Sequence, residues 1–93
     1  MNVHIVGTGL LGTSLGLSLS RHGYRVTLED LSPTAAQLAA DMGAGEADHP
    51  KDPDVVVIAT PPDVVAHVIV DALRTWPNAT ITDVASVKTA ILD

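Results

Sequence analysis

The sequence predicts an α/β domain with a doubly wound parallel sheet, and two observations carry that prediction. Short runs of Val, Ile and Leu alternate along the chain with longer amphipathic stretches, the pattern of consecutive β-α-β units. The composition is 46% hydrophobic yet contains no Phe and one Trp, so small aliphatic side chains must fill the interior. Right-handed crossovers would then place helices on both faces of the sheet, in a three-layer αβα arrangement.

The first unit joins a strand at about residues 2–6 to a helix at about residues 10–21 through a GxGxxG turn. This strand-turn-helix context makes the motif the Rossmann fingerprint for dinucleotides. Gly7 would form the tight turn, Gly9 would admit a pyrophosphate, and Gly12 would bring the helix close to the strand. The pyrophosphate would lie on the helix N-terminus, where free N–H groups favour an anion. We therefore predict a cofactor cradle made of Gly7, Thr8, Gly9, Leu10, Leu11 and Gly12; the alternative is a turn that serves packing alone.

The helix of this first unit has two predicted faces. Leu11, Leu15 and Leu19 recur every four residues, while Gly12 and Gly16 leave one flank bare for close approach to the sheet.

The second predicted strand, residues 25–30, ends in two carboxylates at the place where such domains hold the adenosine ribose. Asp30 lies 18 residues after Gly12 and Glu29 lies 17 after it. We favour Asp30 as the ribose ligand, because it lies at the loop while Glu29 is expected to face water. Two carboxylates with no Arg directly after them would repel a 2′-phosphate, so the predicted cofactor is NAD, with NADP less favoured.

The middle of the chain is expected to carry a helix and a polar loop. Ser32 and Pro33 have the pattern of an N-cap and a first helical residue. The helix would end at about Met42, with an apolar face of Ala35, Leu38, Ala39 and Met42. In residues 44–54 any third strand must be very short. Asp48, His49, Asp52 and Asp54 could be taken for metal ligands, but their spacing favours a mobile acidic loop, and we predict no metal site.

The last part of the chain repeats the unit. An apolar run at 55–59 predicts a buried strand, and Thr60 would either cap the next helix or contact the cofactor. That helix has a core stripe, with His67 on its solvent face; the stripe consists of Val65, Val68, Ile69, Ala72 and Trp76. Residues 80–84 predict the final strand, and Ser86 would cap a helix that has run only two turns at Asp93. Such a short amphipathic helix suggests a piece of a longer polypeptide.

Charge and composition exclude several classes of protein. A formal charge of −6 with five Lys and Arg residues argues against nucleic-acid binding, and two aromatic residues offer no stacking platform. The absence of Cys excludes disulfides and thiolate zinc sites and fits the cytoplasm. The apolar N-terminus has no basic residue before Arg21 and is broken by glycines, which argues against a signal peptide or a membrane span.

Three segments carry a resemblance to a known family. GTGLLGTSLG at 7–16, ATPP at 59–62 and DVASVK at 83–88 resemble, in order and spacing, the N-terminal domain of prephenate dehydrogenases, whose close relatives use arogenate. The resemblance covers essentially the whole chain, and DVASVK is its most specific part. Ala85 departs from the pattern, since the family usually has glycine there.

The resemblance implies an NAD(P)-dependent oxidative decarboxylation of prephenate to 4-hydroxyphenylpyruvate, on the route to tyrosine. It places Ser86 beside the catalytic histidine and the nicotinamide, where its hydroxyl can orient the imidazole and the substrate, and it places Thr60 and Pro61 at the cofactor. Lys88 would lie near the substrate, or it is simply an exposed lysine of the first helical turn.

The resemblance also implies what this chain lacks. The family's catalytic histidine lies beyond DVASVK, and a C-terminal helical domain supplies most of the substrate pocket and the homodimer interface. We therefore expect these 93 residues to bind NAD weakly or not at all and to be inactive alone. The alternatives are the cofactor domain of another reductase of the 6-phosphogluconate dehydrogenase type, acting on an imine or a 3-hydroxy acid, and a nucleotide-binding module without catalysis.

Overall fold

The computed structural model, which describes residues 1–84, confirms the doubly wound α/β fold. Its elements follow one another as β1 Asn2–Val6, α1 Leu10–Arg21, β2 Arg25–Glu29, α2 Pro33–Asp41, β3 Glu46–Ala47, β4 Val55–Ile58, α3 Val65–Thr75 and β5 Thr80–Asp83. All strand pairs are parallel, and the strand order is β3-β2-β1-β4-β5. The helix predicted to begin at Ser86 lies outside the described residues.

The strand register aligns the carboxyl ends of four strands. Val6 pairs with Glu29 on one side and with Ile58 on the other, and Ile58 pairs with Asp83. The chain order reverses at β1, which lies between β2 and β4. This reversal is the switch point beside which open parallel sheets bind their ligands.

The sheet separates two hydrophobic clusters, as a three-layer domain requires. On one face, Ile5 and Val57 pack with the leucines of α1 and with α2. On the other face, Val56 and Ile58 pack against the predicted stripe of α3, including the buried Trp76. Neighbouring residues of β4 thus serve opposite layers because side chains alternate along a strand.

The bare flank predicted for α1 is confirmed. Gly12 and Gly16 are the buried residues of this helix, and a Cβ on Gly16 would lie 2.6 Å from the Ala44 carbonyl oxygen. Leu15 and Leu19 pack against the core as predicted. Leu11 does not, since its side chain is half exposed.

The apolar face predicted for α2 is wrong in part. Ser32 caps the helix as predicted, but Leu38 and Met42 are 60% and 64% exposed, and the buried residues are Ala36 and Ala39. The helix covers β2 and the two-residue β3 near the edge of the sheet. Small side chains let it approach closely there, while the larger ones point outward.

Thr60 is not the cap of α3. The helix begins at Val65, after a turn in which the Val64 N–H donates to the Pro61 carbonyl oxygen. Each residue before a proline is disfavoured in the helical region, so Pro61 and Pro62 delay the helix and leave Thr60 in the loop. Among residues 1–84, none of the helices is long and apolar enough to cross a membrane.

Candidate cofactor site

A cleft of about 1030 Å³ opens where the strand ends meet. The glycine turn, the end of β2, the loop between β4 and α3, and the end of β5 form its walls. Its lining includes most of the predicted cofactor residues, namely Gly7, Gly9, Leu10, Leu11, Asp30, Thr60 and Pro61. The volume is that of a site for a sizeable organic ligand.

The glycine turn is tight at Gly7 and Gly12 and open at Gly9. Gly7 has a φ of +105°, and a Cβ there would lie 2.7 Å from the Ala59 carbonyl oxygen. A Cβ on Gly12 would collide with the Gly7 carbonyl oxygen. A Cβ on Gly9 would meet no atom within 4 Å. Two glycines are therefore required by the fold itself, whereas Gly9 leaves room for a ligand.

The N-terminus of α1 points its free donors at this opening. The first intrahelical bond runs from the Thr13 N–H to the Gly9 carbonyl oxygen, at 3.0 Å. The N–H groups of Leu10, Leu11 and Gly12 consequently have no acceptor within the helix. Gly9 has no side chain to cap them, and no acidic residue lies in the first turn. These features suit a phosphate group.

Asp30 lies at the sheet edge, where the ribose prediction requires it, but its carboxylate already has protein partners. Oδ2 accepts from the Thr8 N–H at 2.7 Å and from the Thr8 hydroxyl at 2.9 Å, and Oδ1 accepts from the Ser32 N–H at 2.8 Å. Burial acts to raise the pKa of Asp30, but the hydrogen bonds from Ser32 and Thr8 outweigh it and lower the pKa. Asp30 is therefore a carboxylate that also secures the glycine turn.

We expected Glu29 to face water, but its carboxylate contacts two histidines. Its Oε1 lies 3.0 Å from His4 Nε2 and 2.8 Å from His49 Nδ1. His49 thus lies beside β1 and β2 and does not share a ligand set with Asp52 and Asp54, contrary to the grouping considered from the sequence. The spacing along the chain did not indicate this contact, because it depends on how the loop folds back over the sheet.

Thr60 contributes a buried hydroxyl that has no hydrogen-bond partner. Such a group carries an energetic penalty unless something else satisfies it. Its loop lines the cleft, and Pro61 is exposed beside it. The hydroxyl oxygen is closed to solvent, so a polar group of a ligand in the cleft would reach it only if this loop shifts on binding.

The sequence did not reveal the apolar wall of the cleft. This wall comprises Leu31 and the first turn of α3, including Val64, Val65 and Val68. Val65 and Val68 were assigned to the core stripe, and they serve both the core and the cleft.

The described residues end shortly before the site residues that were predicted near the C-terminus. Ser86 and Lys88 lie outside the described residues. Asp83 and Val84, just before them, line the cleft.

None of the four histidines, all of which lie within residues 1–84, lines the cleft. His4 is fully buried, His22 is the C-cap of α1, and His67 is exposed on α3.

The fold, the glycine turn and the cleft at the switch point define a Rossmann-type nucleotide-binding domain of the dehydrogenase class. The chain belongs to the family described as the nucleotide-binding domain of prephenate dehydrogenase, which matches residues 15–93. The predicted family is thereby confirmed, and the cofactor class is NAD(P).

Two curated relatives differ in their named activities. A probable prephenate dehydrogenase, NovF, of Streptomyces niveus is 42% identical over 85 residues, covering 90% of this chain and 24% of the relative. A probable mitochondrial 3-hydroxyisobutyrate dehydrogenase-like protein of Arabidopsis thaliana is 39% identical over 72 residues, covering 71% of this chain and 21% of the relative. The chain thus spans no more than a quarter of the length of either.

Solved structures share the fold. Synechocystis arogenate dehydrogenase superimposes with a TM-score of 0.82 at 22% identity, over 89% of this chain and 32% of its own. Mycobacterium tuberculosis 3-hydroxyisobutyrate dehydrogenase, solved with L-serine, gives a TM-score of 0.74 at 29% identity, over 88% of this chain and 30% of its own.

Proposed function

We propose that residues 1–93 form the NAD-binding part of a dehydrogenase that oxidises prephenate or arogenate in tyrosine biosynthesis. One observation carries the proposal: the open glycine turn, the Asp30 carboxylate and the loop of Thr60 line one cleft, in a chain of this family. A bound nicotinamide cofactor would accept the hydride that leaves the substrate.

Each residue of the cleft has a binding role in this proposal. The free N–H groups at the start of α1 hold the pyrophosphate, and Gly9 leaves the space that it needs. The Asp30 carboxylate has about four acceptor positions, three of which are occupied, so a ribose hydroxyl takes the fourth. Thr60 and Pro61 contact the cofactor from the same loop, which shifts on binding so that the Thr60 hydroxyl, closed to solvent in the free protein, gains a partner.

Charge at the ribose end supports NAD over NADP. A 2′-phosphate would approach the Asp30 carboxylate, which the low pKa keeps ionised. Leu31, the next residue, is 97% exposed and offers no charge to balance that phosphate. Arg25 begins the same strand as Glu29, about 13 Å from it along the strand, at the opposite end.

The remainder of the activity belongs to the longer polypeptide of which this chain is proposed to be the N-terminal piece. We assign Ser86 to the support of a catalytic histidine and to substrate contact, and Lys88 to the substrate side. That histidine lies beyond the DVASVK segment, most of the substrate pocket and the homodimer interface come from a C-terminal domain, and the complete enzyme works in the cytoplasm. A Ser86→Ala variant of the complete enzyme should lower kcat while leaving the Kd for NAD unchanged.

A calorimetric titration with NAD and with NADP tests the cofactor assignment. Because the 93 residues alone are expected to bind NAD weakly or not at all, the complete enzyme is titrated. We expect it to bind NAD saturably, to bind NADP more weakly, and to lose NAD affinity in Asp30→Ala. Asp71→Ala is the matched control, because it removes a carboxylate from the exposed face of α3. Absence of NAD binding by the folded complete enzyme, or equal binding by its Asp30→Ala variant, would overturn the proposed site.

A second candidate is a dehydrogenase of 3-hydroxy acids, which the two 3-hydroxyisobutyrate dehydrogenase relatives favour. Its cofactor cleft would be the same, so only the complete enzyme distinguishes the two. Turnover of prephenate or arogenate supports the first assignment, and turnover of 3-hydroxyisobutyrate alone supports the second. Saturable NAD binding with no turnover of either would indicate a binding module without catalysis.

A further inference from the structure

Three side chains from separate segments meet beside the end of β2. His4 comes from β1, Glu29 ends β2, and His49 comes from the loop after β3. One carboxylate oxygen of Glu29 lies 3.0 Å from His4 Nε2 and 2.8 Å from His49 Nδ1. The three potential ligand atoms all lie within 4.8 Å of one another. Two imidazoles and a carboxylate are a donor set typical of transition-metal sites.

The innermost of these groups is held by the sheet. His4 is fully buried, and its Nδ1 lies 2.7 Å from the Thr27 hydroxyl oxygen. A threonine hydroxyl can either donate or accept, so it supports both neutral tautomers of the ring. In the tautomer with the proton on Nδ1, the Nε2 lone pair is free and directed at the cluster. A hydrogen-bonded second nitrogen is the usual outer support of a metal-bound histidine.

The outermost group is held by Trp76. The indole N–H donates to the Pro50 carbonyl oxygen at 2.8 Å, which ties down the residue next to His49. The indole ring lies 5.1 Å from the His49 ring and 5.0 Å from the His4 ring, measured between centroids. Trp76 therefore orders the loop that brings His49 to the cluster. Because His49 is 61% exposed and Glu29 39% exposed, the cluster is open to ions from solvent.

We propose that His4, Glu29 and His49 bind a divalent cation of the borderline class, such as Zn²⁺ or Ni²⁺, with water completing the coordination. In a tetrahedral zinc site, bonds of 2.0–2.1 Å place neighbouring ligand atoms about 3.3 Å apart. The two contacts to Glu29 need to lengthen by a few tenths of an ångström to reach that spacing, and the two histidine nitrogens, which lie within 4.8 Å of each other, need to move closer. Hard cations such as Mg²⁺ and Ca²⁺ prefer oxygen ligands and are poorly matched to two imidazoles.

The bound ion would join the loop at residues 48–54 to the middle of the sheet. Glu29 also lines the cofactor cleft, but neither histidine does, so metal binding is measured in the absence of NAD. A cation on Glu29 would also replace hydrogen bonds with coordination bonds, so it should stabilise the folded state. The proposal therefore stands or falls independently of the assigned oxidoreductase activity.

The sole tryptophan of the chain provides the measurement. Ni²⁺ bound within reach of the indole should quench Trp76 fluorescence saturably, and Zn²⁺ should compete with it and raise the thermal midpoint. The protein is the tag-free 93-residue chain, freed of metal with EDTA and checked for folding by circular dichroism. Mg²⁺ at the same concentrations should produce neither effect.

Substitutions distinguish the cluster from general surface binding. His49→Gln, at an exposed position, should weaken Ni²⁺ binding by about tenfold or more, and Glu29→Gln should do the same. His67→Gln is the matched control, because that histidine is exposed on α3 and should leave binding unchanged. Non-saturable quenching, or equal loss in His49→Gln and His67→Gln, would overturn the proposal and leave Glu29 as a plain hydrogen-bond acceptor.

Discussion

Asp30 holds Thr8 through two hydrogen bonds: its Oδ2 accepts both the N–H and the hydroxyl of Thr8, at 2.7 and 2.9 Å. The carboxylate proposed to accept a ribose hydroxyl thus also holds the glycine turn that faces the pyrophosphate. Two parts of the cofactor site are connected through one side chain. Loss of the Asp30 carboxylate should consequently lower both the stability of the ligand-free protein and its affinity for NAD.

An Asp30→Asn variant tests this double role. The asparagine amide keeps one oxygen as an acceptor but replaces the other with an NH₂ group. That NH₂ group would face either Thr8 or the Ser32 N–H, which donate to the carboxylate in the native protein. We expect the free energy of unfolding to fall by about 1–3 kcal/mol, since hydrogen bonds to a charged group are lost, and NAD binding to weaken. Urea unfolding and calorimetry measure the two effects, with Asp71→Asn as the control. Weaker NAD binding at unchanged stability would show that the link to Thr8 contributes nothing.

Gly9 and Gly7 should respond differently to the same substitution. Gly9→Ala meets no atom, so we expect a loss of stability of about 1 kcal/mol or less together with a large loss of NAD affinity. Gly7→Ala combines a positive φ with a collision at the Ala59 carbonyl, and it should cost roughly 2–4 kcal/mol. Thermal unfolding and NAD titration of both variants provide the comparison. Normal NAD binding by Gly9→Ala would argue that the turn serves packing alone.

Thr60→Val should weaken NAD binding without destabilising the free protein. The valine removes a buried hydroxyl that has no partner, so the free protein should be unchanged or more stable, by up to about 1 kcal/mol. The same change removes a hydrogen bond to the cofactor and should weaken NAD binding. Thermal midpoints with and without NAD reveal both effects. A destabilised variant with normal affinity would assign the hydroxyl to the fold instead.

His4 should make the fold sensitive to mild acid. Burial lowers the pKa of His4, and the neighbouring His49 lowers it further. Glu29 acts in the opposite direction through its hydrogen bond and its negative charge, but the net effect is a lowered pKa. In the unfolded chain a histidine titrates near a pKa of about 6.5, so the unfolded state binds more protons as the pH falls below that value. Stability should be fully present above about pH 6.5 and decline as the pH falls below it.

Urea unfolding at several pH values with EDTA present measures this dependence. His4→Gln cannot take up the proton, so its stability should vary less between pH 7.5 and pH 5.5, whatever its absolute value. An equally steep decline in the variant would assign the acid sensitivity to other groups.

Features that depend on residues close together in the sequence could be predicted from the sequence alone. The GxGxxG turn, the capping pair Ser32 and Pro33, and the carboxylate at the end of β2 are set by residues close in sequence. Their steric and hydrogen-bonding demands act over one or two turns, so the sequence alone identifies them. The same locality explains the correct order of strands and helices and the very short β3.

Contacts between distant residues required the fold. The register that pairs His4 with Thr27 also places Glu29, two residues further along β2, on the same face of the sheet. The loop carrying His49 then closes over that face through Trp76, and the two prolines after Thr60 leave its hydroxyl buried without a partner. The sequence by itself determined a nucleotide-binding α/β domain of a recognisable family. Only the tertiary structure decided which polar side chains meet, because residues 20 or more positions apart are brought together by strand register and loop packing and not by any periodic pattern.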